Sequence, residues 1–245
     1  MKKMQDIVLI KGEKIPIRIR SYRNTKKIRI FFHEDLLCVS KPIRYSNRRL
    51  EKLILENEDL IFKQYQAARG KEKEYRKQWK TGEKILFQGE EYEIIRVEKM
   101  NQKRITIEVS TEEKKILVIV PAEKETPKEK IDQKMVQLFR NQTEEILASR
   151  LPFWSEQTGL VYQTVRISDT KSKYGSCMPQ RKALQFSARL SMLSKDEVDA
   201  VIVHELCHLQ HANHSKDFYQ LIQEYMPNYL EINQLLKKNG KKIIF

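Results

Sequence analysis

Isoleucines at alternate positions dominate the first patterned stretch of the chain. In KIPIRIRSYRNTKKIRIFF, Ile15, Ile17 and Ile19 alternate with Arg18 and Arg20, and Ile28 and Ile30 flank Arg29. A period of two in β-branched residues predicts strands with an isoleucine face and an arginine–lysine face. RNTKK between the two runs is expected to be a hairpin turn, and LLCVSKP a third strand. From Ser46 the period lengthens: Leu50, Leu53, Ile54, Asn57, Leu60, Ile61 and Tyr65 fall at helical spacing, with Ser46 or Asn47 as N-cap. KEKEYRKQWKTGEK reads as a charged connector. Four further strands are expected at KILFQG, EEYEIIRVEK, KRITIEVS and KILVIVP.

The second half changes character. TPKEKIDQKMVQLFRNQTEEILASRLPFWSEQTG predicts a long helix with Pro127 in its first turn, where a missing N–H does no harm. YQTVRIS and ALQFSARL read as strands around the loop DTKSKYGSCMPQRK. SKDEVDAVIVHELCHLQ reads as a helix opened by a capping box, Ser194 with Glu197 three residues on. The last segment is helical to about Tyr225, with Pro227 as punctuation. No internal repeat is apparent. The pattern therefore predicts an α+β chain, with strands and antiparallel hairpins over 1–125 and helices over 126–245.

Charge changes this picture in one place. Residues 1–50 hold fourteen Lys or Arg against four Asp or Glu, while the remaining residues hold thirty-three against twenty-nine. Most of the net charge of +14 thus sits in the first fifth of the chain, which holds the arginine-bearing strands. Arg18, Arg20 and Arg29 are the candidate contacts for nucleic acid or another polyanion. No apolar run is long enough to span a membrane, and the start offers only Ile7 to Ile10 where a secretory leader needs a longer apolar region. Cys38, Cys177 and Cys207 are an odd number with no paired spacing, which points to a reducing, cytoplasmic setting.

Four of the five histidines lie within the stretch AVIVHELCHLQHANHSKDF, which begins at Ala200. His204, Glu205 and His208 form H-E-x-x-H. On a helix, residues four apart share a face about 6 Å apart along the axis, so two imidazoles can meet one ion. Glu205 leans aside, toward a water on the ion rather than the ion itself. A third ligand is needed. His211 lies about 10 Å along a straight helix from His204, too far for bonds of about 2 Å. His214 comes within reach if the chain turns near His211, and its spacing matches H-E-x-x-H-x-x-G-x-x-H with His211 at the glycine position. Asn213 is the nearby residue that best tolerates left-handed geometry. Three neutral imidazoles suit Zn²⁺ with a water whose pKa falls toward about 7, and Glu205 is placed to take that water's proton. His211 and His33 are read as ordinary histidines, Cys177 and Cys207 as packing residues, and Tyr225 and Tyr229 as packing residues able in principle to polarise a substrate oxygen.

HELCHLQHANHSKDFYQLIQEYMPNY, taken with the upstream YGSC and LQFSARL, resembles the YgjP-like zinc metallopeptidases, relatives of SprT-like and WLM metalloprotease domains. The resemblance covers most of the chain and is dense from Lys173 to Tyr229. It implies a zincin-like C-terminal half, with His204, His208 and His214 as zinc ligands and Glu205 as catalytic base. The family's R-W-G-S-C appears here with Lys173-Tyr174 in place of Arg-Trp. Tyr174, Gly175, Ser176 and Phe186 are the candidate substrate contacts, with ALQFSARL as an edge strand that pairs with an extended peptide.

Three functions fit these residues. The first is a zinc peptidase acting on protein or peptide, brought to nucleic acid by its basic strands. The second is a metal-dependent nucleotide phosphohydrolase that holds phosphates on the arginine face. The third is a nucleic-acid-binding module with a structural zinc, which a Glu beside an open metal position disfavours.

Overall fold

The computed structural model describes residues 6–33, 36–75, 77–170 and 173–239, so Lys2 and Lys3 lie outside the described residues. Mixed α and β structure is confirmed, with strands concentrated early and helices late. The chain divides into two compact units, Met1–Arg76 and Lys77–Phe245.

Unit 1 holds strands β1 (Asp6–Ile10), β2 (Glu13–Tyr22), β3 (Arg29–His33) and β4 (Leu36–Pro42) in the order β1-β2-β4-β3. RNTKK is therefore not a hairpin turn. β4 lies between β2 and β3, parallel to the first and antiparallel to the second, and 23–28 carries the chain across to the far edge. The tight hairpin is one element earlier. Lys11 and Gly12 both have positive φ (49° and 79°), the twist of a type I′ turn, and Ile10 pairs with Glu13. The apolar patch at Ile7–Ile10 is thus a strand.

Helices α1 (Asn47–Glu56) and α2 (Glu58–Tyr75) cover one face of this sheet. Leu50, Ile54, Ile61 and Tyr65 pack on Ile15, Ile17, Leu37 and Val39. The Ser46 hydroxyl accepts from the Arg49 N–H at 3.3 Å, the expected cap. The single helix expected here is two. Asn57 interrupts it, its side-chain amide donating to the Leu53 carbonyl oxygen at 2.9 Å.

Unit 2 opens with β5 (Lys84–Phe87), β6 (Glu90–Lys99), β7 (Thr106–Ser110) and β8 (Lys115–Pro121) in the order β5-β6-β8-β7. This is the plan of unit 1 again. β6 and β8 are parallel, their outer partners antiparallel, and Gln88-Gly89 (φ 53° and 81°) repeats the I′ turn. Second and sixth strands are ten residues long, third and seventh five, fourth and eighth seven. The fold therefore contains a repeat that the amino-acid sequence does not display. Strand order and turn geometry need only alternation and a glycine, which many sequences supply.

The long helix α3 (Lys128–Thr158) packs Met135, Phe139 and Leu147 into the core that holds Ile94, Ile116, Val118 and Val120. The switch from strand to helix near 120–130 is thus a change of element type inside one core, whereas the compact units part at residue 77. Trp79, in the stretch read as a charged connector, is 1 % exposed, and its indole N–H donates to Asp132 at 2.5 Å. A large ring with one buried donor outweighs the nine charged residues of that stretch in deciding where the segment goes.

Strands β9 (Thr164–Ser168), β10 (Gly175–Met178) and β11 (Ala183–Ser187) form a small sheet in the order β10-β11-β9. β11 is its central strand, antiparallel to β10 and parallel to β9, so ALQFSARL is not an edge open to a peptide. The edge nearest the histidines belongs to β10. A 3-10 turn, Ala188–Met192, leads to α4 (Lys195–Cys207), followed by α5 (Lys216–Tyr225) and α6 (Tyr229–Asn239). α6 lies beyond Pro227, where the sequence pattern stops predicting helix.

Candidate metal centre

The helix that carries the histidines is fixed at its start. Ser194 accepts from the Glu197 N–H at 3.3 Å, and the Glu197 carboxylate accepts from the Ser194 N–H at 3.0 Å. The predicted capping box forms, a contribution of about 1 kcal/mol. Arg150 on α3 donates to both Asp199 carboxylate oxygens, at 2.7 and 2.5 Å, a bidentate pair at a buried acid. The 3-10 turn ahead of Ser194 is held from two sides. Gln88 and Gly89 donate their N–H groups to the Ser191 and Met192 carbonyl oxygens at 2.7 and 3.1 Å. The Thr143 hydroxyl donates to the Ala188 carbonyl oxygen at 2.8 Å.

α4 ends at Cys207, and the chain turns through 208–211 instead of continuing. Among the described residues the turn uses no positive φ between His208 and His214, so neither Asn213 nor a glycine at position 211 is required for it. Ser215 then caps α5, accepting from the Phe218 N–H at 3.3 Å, which sets His214 just before a helix start.

These turns bring His204, His208 and His214 together, with one nitrogen from each within 4.8 Å of the others. The Nε2 atoms of His208 and His214 each lie 3.2 Å from that of His204. His211 sends its ring elsewhere, yet its carbonyl oxygen accepts from His208 Nδ1 at 2.9 Å. A carbonyl only accepts, so His208 carries its proton on Nδ1 and presents a bare lone pair at Nε2. His204 Nδ1 is 2.7 Å from the Tyr229 hydroxyl, which can accept that proton and leave the second Nε2 bare as well. Phe218, fully buried, supports all three rings at centroid distances of 4.4–5.0 Å. The side chain of His33 lies outside the described residues.

Electrostatics keep His204 and His208 neutral. Burial and the two neighbouring rings push His204 down to about 3, and burial lowers His208 as well. Burial raises the Glu205 carboxyl to about 7, with Lys173 opposing. Burial also holds the Tyr229 hydroxyl protonated well above its ordinary range.

Gly175 explains how Glu205 is housed. A Cβ there would lie 2.6–2.9 Å from the Glu205 Cγ, Cδ and Oε1 atoms, so β10 passes over the carboxylate closer than any side chain allows. Gly175 is thus placed against the glutamate rather than on an open substrate surface. Tyr174 and Ser176 flank it, half-buried, and burial raises the Tyr174 hydroxyl to about 12. Phe186 is fully buried in the core, so its expected role as a substrate contact is corrected: it supports β10 from the paired strand. Cys177 and Cys207 are packing thiols raised by burial to about 11 and 12. Tyr225 donates to the Thr158 carbonyl oxygen at 3.1 Å, a packing role.

The residues fit a metal ion. Three imidazole nitrogens gathered in this way, with bare lone pairs on His204 and His208, form a donor set that a cation satisfies. Glu205 Oε2, buried and without a hydrogen-bond partner, is an acceptor with nothing to accept from until a polar ligand sits beside it. Among the described residues no other group of histidine, cysteine or acidic side chains gathers in this way. Phe218 and Tyr229 were the parts that sequence spacing under-read, though N-H-S-x-x-F places Phe218 four residues from His214, one helical turn on.

Arg18, Arg20 and Arg29 are brought together separately, on the open face of the unit 1 sheet.

No helix among the described residues is long and apolar enough to cross a membrane. No curated protein matches the chain. Of solved structures, the crystal structure of the metallopeptidase zymogen of Pyrococcus abyssi abylysin matches at 20% identity with a TM-score of 0.35, covering 38% of this chain and 93% of that one. The YgjP-like metallopeptidase domain family matches residues 26–239, from β3 through the histidine cluster. The chain accordingly belongs to the YgjP-like metallopeptidase family and is a metallohydrolase of the peptidase kind.

Proposed function

We propose that the protein is a zinc-dependent peptidase whose general base is Glu205 and whose metal ligands are His204, His208 and His214. The observation that carries this reading is the cluster itself: the Nε2 atoms of His208 and His214 each lie 3.2 Å from that of His204, beside a buried carboxylate oxygen with no partner. Three imidazoles suit zinc among divalent ions, and family membership implies a protein or peptide substrate. When bound, the ion supplies Lewis-acid activation of a water and of the carbonyl under attack.

The chain's own residues do the rest. Tyr229 and the His211 carbonyl oxygen fix two ring orientations before any ion arrives, and Phe218 prevents the rings from turning. Glu205, with its proton affinity raised toward neutrality, takes the proton from a water as its oxygen attacks the peptide carbonyl carbon. The same proton passes to the amide nitrogen as the C–N bond breaks, so the carboxylate is regenerated. Gly175 holds Glu205 in its buried position throughout. The arginine-bearing face of unit 1 recruits nucleic acid, and free thiols at Cys38, Cys177 and Cys207 support a cytoplasmic setting.

Elemental analysis of purified wild type, His204→Ala and His214→Ala tests the ligand set. One equivalent of zinc in the wild type, absent from both variants, is expected. Casein hydrolysis by the wild type and not by Glu205→Gln tests the base. Zinc retained in His214→Ala would overturn the assignment.

A further inference from the structure

The arginine cluster of unit 1 is a built feature. Register places Arg20, Ser40 and Arg29 in one row across three strands, and Arg18, Cys38 and Phe31 in the next. Tyr22 ends β2 on the same side. These side chains line a concave surface of about 460 Å³. Tyr22 and Phe31 are each close to half exposed (47% and 49%), unusual for large rings on a sheet face. Among the described residues no carboxylate forms an ion pair with any of the three guanidiniums. Arg20 and Arg29 stand two strands apart, about 10 Å, close enough for successive charges of one polyanion to meet both.

Unit 2 supplies the internal control. Its sheet has the same register, and the equivalent rows read Val97, Ile119, Thr106 and Ile95, Leu117, Glu108. The scaffold therefore does not require cations at these positions. Their presence in unit 1 alone marks a surface for something negatively charged.

The exposed rings narrow the ligand. Arginines alternating with flat aromatic faces suit a backbone of phosphates carrying unpaired bases, each base stacking on a ring while its phosphate meets a guanidinium. A duplex hides its base faces, and an acidic peptide offers charge without planes to stack. We propose that this face binds single-stranded nucleic acid, with Arg18, Arg20 and Arg29 on phosphates and Tyr22 and Phe31 under bases. The proposal deepens the recruitment part of the function given above and is independent of the metal chemistry.

Fluorescence anisotropy of the full-length protein with a labelled oligothymidine of about twelve nucleotides, within the site sizes such surfaces use, tests it. A duplex of equal length and polyglutamate serve as competitors. The oligomer is expected to bind in preference to both. Replacing all three arginines with alanine is expected to flatten the slope of log affinity against log salt by about 2. Tyr22→Ala with Phe31→Ala is expected to weaken binding about tenfold or more while leaving the slope unchanged. All these side chains are exposed, and casein hydrolysis by the same variants reports that they fold. Equal binding of the duplex, displacement by polyglutamate at equal charge, or wild-type affinity in both variants would overturn the proposal. Glu205→Gln is expected to bind the oligomer as the wild type does, so failure of the peptidase reading shows in hydrolysis alone.

Discussion

Two sheets in this chain share strand order, the lengths of three of their four strands, a parallel central pair and a two-residue I′ turn closed by glycine, yet different things meet those turns and open faces. At Gly89 the turn donates hydrogen bonds to the segment before α4, and a Cβ there would lie 2.6–2.7 Å from the Ser194 Cα and Cβ. At Gly12 a Cβ would meet nothing within 4 Å. On the open faces the contrast reverses. The second sheet carries Ile95, Val97 and Leu117 where the first carries Arg18, Arg20 and Cys38. One copy braces the helix of the metal centre, and the other presents a charged surface. The lesson is that topology allots neither role; a few side chains on one turn and one face do.

The largest expected effect separates the two roles outright. Glu205→Gln is expected to lower casein hydrolysis by about a thousandfold, the loss of a general base, while zinc content and oligonucleotide affinity stay at wild-type values. Parallel loss of binding would break the division of labour between the sheets. Next comes the pair of turn glycines, compared by thermal unfolding. Gly89→Ala combines left-handed strain with overpacking against Ser194 backbone and is expected to cost about 3 kcal/mol or more, along with zinc retention. Gly12→Ala carries the strain alone, about 1 kcal/mol. Equal losses at the two turns would show that the bracing contact carries no weight. The smallest expected effect lies inside the second unit. Tyr229→Phe removes the hydroxyl that orients His204 and is expected to weaken zinc affinity about tenfold in a chelator competition, with the melting temperature of the metal-free protein little changed.

How much of this was legible varies with the range of the interactions involved. The capping box at Ser194 and Glu197, the cap at Ser46 and the convergence of His204 with His208 are local, and each follows from spacing of three or four residues. Even His214 was within reach of one-dimensional reasoning, because a straight helix excludes His211. The path of that turn was less so. It needs no left-handed residue, so neither the expected role for Asn213 nor the missing glycine has a structural consequence. Longer-range arrangements were misread for one recurring reason. Alternation identifies a strand but not its neighbour, so RNTKK resembled a hairpin while β4 inserted beside β2, and ALQFSARL resembled an edge while β10 and β9 paired on both sides. Phe186 followed that strand into the core.

Trp79 and Gly175 make the same point at the level of single residues. Nothing near Trp79 in the chain marks it as core, because its partner Asp132 is 53 positions away. Gly175 was expected in a loop as a substrate contact, and only the approach of β10 to Glu205 gives its missing side chain a purpose. The amino-acid sequence by itself determined most of the element types, the caps, the histidine set and the charge of the first strands, since each depends on neighbours a turn or a pleat away. Tertiary structure alone decided which strands pair, that the two sheets share a plan, that Tyr229 and the His211 carbonyl orient the imidazoles, and that three arginines from two strands share one hollow. Those outcomes rest on contacts between distant segments, and they are settled by which faces bury together rather than by local propensity.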